Sequence, residues 1–189
     1  MNPADLAASL HKDKYRPDID GIRAIAVTSV VLSHAFPSIF PEGFIGVDVF
    51  FVLSGYLITG IILRKISEQT FSIAGFYDRR IRRIFPALAV VLVECLLLGW
   101  LLLFRPEFLA LGRHITASTL FYENIPLWSE ARYFDTSSLL KPTLHFWSLA
   151  IEEQFYIVWP LLLFAVCRSG QKPLAWMLAA FGTSLALNI

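Results

Sequence analysis

A small set of ionisable residues has the types and spacing to do chemistry, and most of them sit in runs that are otherwise apolar. Arg23 and His34 are eleven residues apart in one such run. On a helix, eleven steps of about 100° return to within roughly 20° of the same face, which puts the two side chains on one stripe about 16 Å apart. A histidine there can serve as a general base near neutral pH, its unperturbed pKa being about 6.5. A snorkelling arginine and a histidine satisfied at the interface are the structural alternative.

Asp48 stands in the next run, Gly43-Phe44-Ile45-Gly46-Val47-Asp48, at the depth expected for His34. It is read either as a carboxylate that orients His34 or as the partner of a neighbouring cation. Gly43, Gly46 and Gly55 allow close helix approach. The segment Tyr77-Asp78-Arg79-Arg80-Ile81-Arg82-Arg83 is dense in arginine. Arginine forks bind phosphate oxygens bidentately, so Arg80 and Arg83 could clamp a phosphorylated ligand. The same cluster would also serve as a topogenic signal or a grip on anionic lipid. Finally, His145, Ser148, Glu152 and Tyr156 fall on one helical stripe, with Glu153 one step round. Two adjacent carboxylates, a Gln and a Tyr in an apolar run have no lipid-facing explanation. They form either a catalytic group or a structural polar network between helices.

The composition says what must position these groups. The chain has 189 residues, 56% hydrophobic and 16% charged, with a mean hydropathy of +0.61. Soluble domains average about 45–50% apolar and about 25% charged. The excess points to a bilayer and excludes disorder. A net charge of +1 gives no basis for nucleic-acid binding. Cys95 and Cys167 lie in apolar runs, without metal-ligand spacing or a disulfide framework around them. Sixteen Phe and five Trp suit a chain in contact with lipid and its interfaces.

Apolar runs cover Ile22 to Phe36, Gly43 to Leu63, Ile84 to Phe104 and Phe146 to Val166, and a fifth starts near Leu174. A crossing helix needs about 20 residues. The second, third and fourth runs have that length, and the first has it if the helix starts near Asp18. The predicted fold class is all-α, a polytopic transmembrane helix bundle with about four to five spans. Residues 108–125 are interrupted by Arg113, His114 and Glu123, and are read as a re-entrant or interfacial helix. Lys12, Lys14, Arg16 and Arg23 near the N-terminus, and the arginines of the 64–83 loop, would face the cytoplasm. That makes residues 1–20 a cytoplasmic segment and 21–189 a membrane domain. Because the last apolar run has no polar tail, the chain is expected to be the N-terminal part of a larger polytopic protein.

Four elements occur in order: Arg23-x10-His34; Phe50-Phe51-x-x-Ser54-Gly55; Arg80-x-x-Arg83 followed by Ile84-Phe85-Pro86; and His145-x-Trp147-Ser148-Leu149 running into Glu152-Glu153-Gln154-Phe155-Tyr156. With this topology the chain resembles the membrane-bound acyltransferase-3 family from Tyr15 to about Leu163. The opening Arg16-Pro17-Asp18-Ile19-Asp20-Gly21 looks most like the bacterial branch, whose members often carry an extracytoplasmic SGNH-hydrolase-like domain. The resemblance implies a multi-pass enzyme of the cytoplasmic (inner) membrane. It would move an acyl group, usually acetyl, from cytoplasmic acyl-CoA to a hydroxyl of an extracytoplasmic polysaccharide or lipid-linked glycan, such as lipopolysaccharide. Acetyl-CoA would be the donor, with no metal. Arg80 and Arg83, with Arg23, would hold its phosphates. His34 would be the general base, and Asp48, Glu152 and Glu153 would orient or charge-balance it. A proton-coupled transporter is the alternative, since intramembrane His, Asp and Glu also serve carriers. A non-catalytic membrane scaffold is a third reading.

Overall fold

The computed structural model describes residues 16–130 and 141–187, and among these every regular element is an α-helix. We number them α1 (Pro17–Ala35), α2 (Ile45–Ser67), α3 (Ile73–Leu102), α4 (Arg105–Thr119), α5 (Asn124–Glu130), α6 (Phe146–Arg168) and α7 (Pro173–Leu187). Most of the expected segment 1–20 lies outside the described residues.

Local chemistry sets the helix ends. Pro17 opens α1, where a missing N–H costs nothing, and Asp18 and Asp20 fill its first turn. Asp48 stands in the first turn of α2, and Arg64 and Lys65 in its last, each sign matched to the helix dipole. The Ser72 hydroxyl oxygen caps α3 by accepting from the Gly75 N–H at 3.2 Å. At the start of α4, Glu107 accepts from the Phe104 N–H at 3.0 Å. Helix α6 is followed by Gly170 at φ 69°, the left-handed conformation that favours glycine.

Three described helices, α2, α3 and α6, are long and apolar enough to cross a membrane. Helix α1 starts near the point the sequence requires and has 19 residues, with Asp18, Asp20 and Arg23 among them. Helix α7 has 15 described residues. Helix α4 also has 15, about 22 Å at 1.5 Å per residue, which is short of a hydrocarbon core of about 30 Å.

Two expectations are corrected. The arginine-rich stretch is not a loop: α3 begins at Ile73 rather than Ile84, and Arg79 to Arg83 lie in its early turns. Ser72 supplies the cap, and an Asp78–Arg82 pair four residues apart (3.0 Å) supports the helix. Pro86 is accommodated inside α3. His145 precedes α6 rather than starting its stripe, and its carbonyl accepts from the Ser148 hydroxyl at 3.1 Å.

The chain divides into two compact units. One gathers the residues up to Phe71 with those from Trp159 onward; the other is Ser72–Val158. In the first, α1 and α2 touch through glycine. A Cβ on Gly46 would lie 2.4 Å from the Ala26 carbonyl oxygen, and one on Gly43 2.1 Å from that of Ser29. The Ser29 hydroxyl donates to the Ala26 carbonyl at 2.8 Å. Ile58, Ile62, Leu63 and Leu163 are buried, and the Trp159 indole N–H donates to the Thr59 hydroxyl at 2.7 Å.

In the second unit, Gly99 lets α4 approach α3, since a Cβ there would meet Leu111 at 2.3 Å. The Tyr77 hydroxyl donates to the Ile157 carbonyl (2.7 Å). The Phe85 ring packs edge-on against Phe121 (5.8 Å), whose carbonyl accepts from the Gln154 amide (2.8 Å). Tyr77 and Arg80 of α3 thus meet Ile157 and Tyr156 of α6.

Candidate functional site

The predicted site residues fall in both units. In the first unit His34 is in the last turn of α1, and Asp48 in the first turn of α2, flanking the same connection. Both are exposed. His34 Nδ1 lies 2.7 Å from the Val30 carbonyl oxygen. A carbonyl can only accept, so Nδ1 carries a proton in this contact. Arg23 is half-buried, its guanidinium carbon 6.0 Å from the centre of the Phe50 ring on α2.

In the second unit α3 and α6 bring Arg80 to the carboxylate pair. The Arg80 guanidinium lies over the Tyr156 ring, 3.8 Å from its centre. The Tyr156 hydroxyl donates to Glu152. Glu153 is buried, and Arg80, Glu152 and Arg83 are the charges that act on it. Arg83 itself is exposed. Arg80 Nε and Glu153 Oε1 are buried without a hydrogen-bond partner in the structure. Tyr156 is about 15 Å along the axis from Phe146 and about 18 Å from Arg168, so the Arg80 guanidinium sits level with the middle of α6. A half-buried cation with a buried, unused donor and a buried carboxylate with an unused acceptor suit binding of a small polar or anionic group.

A further polar cluster escaped the sequence reading. His114 on α4 is buried; its Nδ1 is 2.7 Å from Glu123 and its Nε2 3.2 Å from Glu130. Lys141 Nζ pairs with the same Glu130 oxygen at 2.6 Å. The Thr143 hydroxyl donates to Glu123 at 3.2 Å. The hydrogen bond to Glu123 raises the His114 pKa against the effect of burial, with the Glu130 charge adding to the rise. For Glu130, burial pushes upward, yet Lys141 and His114 together hold it below its ordinary value. The signal in the sequence was His114 and Glu123 interrupting an apolar stretch. Their partners Lys141 and Thr143 are far along the chain and could not be paired by spacing.

Three spanning-length helices, together with ionisable side chains buried among the helices, define an integral membrane protein. The chain belongs to the acyltransferase-3 family, described as an acyltransferase domain, which it matches over residues 16–189. It is 40% identical over 177 residues to the peptidoglycan O-acetyltransferase OatA of Listeria monocytogenes, covering 91% of this chain and 28% of that protein. It is 35% identical over 159 residues to the O-acetyltransferase OatA of Staphylococcus aureus, covering 82% of this chain and 26% of that protein. The chain thus spans about a quarter of the length of these curated relatives. No solved structure matches it.

Proposed function

We propose that the protein is a membrane O-acetyltransferase that moves acetyl from cytoplasmic acetyl-CoA to a hydroxyl of an extracytoplasmic glycan. Peptidoglycan is the acceptor favoured by the name of the Listeria relative, in place of the broader envelope glycans that the motifs suggest. The protein lies in the cytoplasmic membrane with its N-terminus inside, following its Lys and Arg. An SGNH-like domain elsewhere in the full protein is compatible with the short share of the relatives that the chain covers. His34 Nε2 takes the proton of the acceptor hydroxyl, the oxygen attacks the thioester carbonyl, and the C–S bond breaks to release the CoA thiolate. Asp48 orients the imidazole. Arg80 and Arg83, with Arg23, attract the donor's phosphates, and Glu152 and Glu153 balance Arg80.

The observation that carries this reading is Arg80, level with the middle of α6 and holding an unused buried donor beside Glu153. An anionic donor substrate gives that cation a purpose; a proton-coupled carrier needs no phosphate clamp. The test is His34→Ala in the full-length protein, followed by mass analysis of envelope glycans. We expect acetylation to fall by about a hundredfold or more, the scale of general-base catalysis, while membrane insertion persists. Undiminished product would remove His34 from the mechanism.

A further inference from the structure

The His114 cluster has no part in the chemistry above, yet it links five side chains from separate stretches of the chain. Both ring nitrogens of His114 face carboxylate oxygens, Nδ1 to Glu123 at 2.7 Å and Nε2 to Glu130 at 3.2 Å. Nδ1 hydrogen-bonds Glu123, and a second proton on Nε2, giving the imidazolium, would make the Glu130 contact an ion pair. Charge balance requires the same. The charged groups acting on His114 are Glu123, Glu130 and Lys141. Two carboxylates and one ammonium leave a net negative charge unless the ring is protonated. Glu123 is fully buried, where an uncompensated charge is strongly destabilising.

The network also joins separate pieces of chain. His114 is on α4, Glu123 is in the turn after it and Glu130 ends α5. Lys141 and Thr143 lie just before α6. Gln154 on α6 then ties back to the same turn through the Phe121 carbonyl and the Asn124 side chain, at 2.8 and 2.9 Å. The two residues that precede it on α6 are Glu152 and Glu153.

We propose that His114 is a positioning residue: as an imidazolium held between Glu123 and Glu130, it clasps α4, α5 and the lead-in to α6, and so sets the placement of Glu152 and Glu153. The link to Glu152 and Glu153 rests on the transferase reading; the charge state of the clasp does not. The raised pKa of His114 agrees with its geometry.

Two measurements on the full-length protein test this. The first is ring-nitrogen NMR of histidine-labelled protein in bilayers at about pH 7.5, where a free imidazole is neutral. We expect a doubly protonated ring whose signal vanishes in His114→Gln. A neutral His114 already at about pH 6.5 would overturn the clasp whatever the enzyme does. The second is steady-state acetyl transfer. His114→Gln should lower kcat by about a hundredfold, the scale of a misplacement near 1 Å, with the acceptor KM little changed. Wild-type kcat should decline on the alkaline side as His114 loses its proton. The double variant His114→Gln/Glu123→Gln replaces the charged pair by two amides and keeps the Glu130–Lys141 pair. It should recover most of kcat and lose the alkaline decline, and it also stands in if the single variant fails to fold. A double variant no better than the single one, or a single variant with wild-type kcat and pH profile, would refute the positioning role. If the wild type transfers no acetyl, the transferase reading fails while the NMR signal still decides the clasp.

Discussion

The Tyr156 side chain serves two charges at once: its ring lies under the Arg80 guanidinium, 3.8 Å from centre to carbon, while its hydroxyl donates to Glu152. One aromatic residue thereby links the cation of α3 to the carboxylates of α6. In a low-dielectric surrounding both contacts count for more than they would in water.

Removing the two contacts in turn should give graded losses. Tyr156→Phe keeps the ring under Arg80 and loses the bond to Glu152, and hydrogen bonds to charged groups are worth about 1.5–3 kcal/mol. Tyr156→Ala also loses the cation–π contact, about 2 kcal/mol when desolvated. We expect thermal unfolding in detergent to rank wild type above Phe and Phe above Ala. Equal stability of Phe and Ala would mean that the ring contributes nothing beyond its hydroxyl.

Glycine should be required at one position of α2 and dispensable at another. A Cβ on Gly46 would meet the Ala26 backbone oxygen at 2.4 Å, whereas one on Gly60 meets nothing within 4 Å. Gly46→Ala must push α1 away and should cost about 1–3 kcal/mol, as overpacking does. Gly60→Ala should instead stabilise by about 0.5–1 kcal/mol, since alanine loses less entropy in a helix. Fluorescence-detected size exclusion after heating separates the two, and a tolerated Gly46→Ala would refute the close α1–α2 contact.

The sequence made the three long helices legible because a bilayer demands long apolar runs, and those runs are hard to mistake. It also showed the Glu152–Tyr156 contact, which needs only i, i+4 spacing on one helix, and the glycines that let α1 and α2 meet. Charge density misled it at 77–83. Six basic residues between Arg64 and Arg83 suggested a loop, but arginine is a good helix former and Ser72 supplied the cap. The His114 cluster was out of reach because its partners come from three stretches of chain. Periodicity finds neighbours on one helix, not across a turn and a lead-in.

The arginines of α3 should not be equivalent toward a phosphorylated ligand. Arg82 is exposed and engaged with Asp78 at 3.0 Å, whereas Arg83 is exposed and Arg80 keeps a buried, unused Nε. Arg80→Ala and Arg83→Ala should each weaken coenzyme A binding by about tenfold or more, the scale of one charge-assisted hydrogen bond. Arg82→Ala should change it little. Binding by calorimetry to the full-length protein in nanodiscs checks this. Uniform small losses would favour a topogenic or lipid-binding role for the cluster.

Stability should depend on pH in two directions, set by His114 and Glu130. The folded pKa of His114 is raised above its ordinary 6.5. Its contribution is therefore complete below about 6.5 and is lost as pH rises through the folded value. The folded pKa of Glu130 is lowered below its ordinary 4.5. Its contribution is present above about 4.5 and is lost as pH falls through the folded value. The clasp should thus be strongest between these limits, and the protein should unfold more readily on either side. Thermal unfolding followed across about pH 4–9 should show a plateau with an alkaline fall, because an imidazole that loses its proton leaves Glu123 buried beside a neutral ring. In His114→Gln the alkaline fall should flatten while the acid side, which depends on the Glu130–Lys141 pair, remains. An unchanged alkaline fall in that variant would assign it to another group.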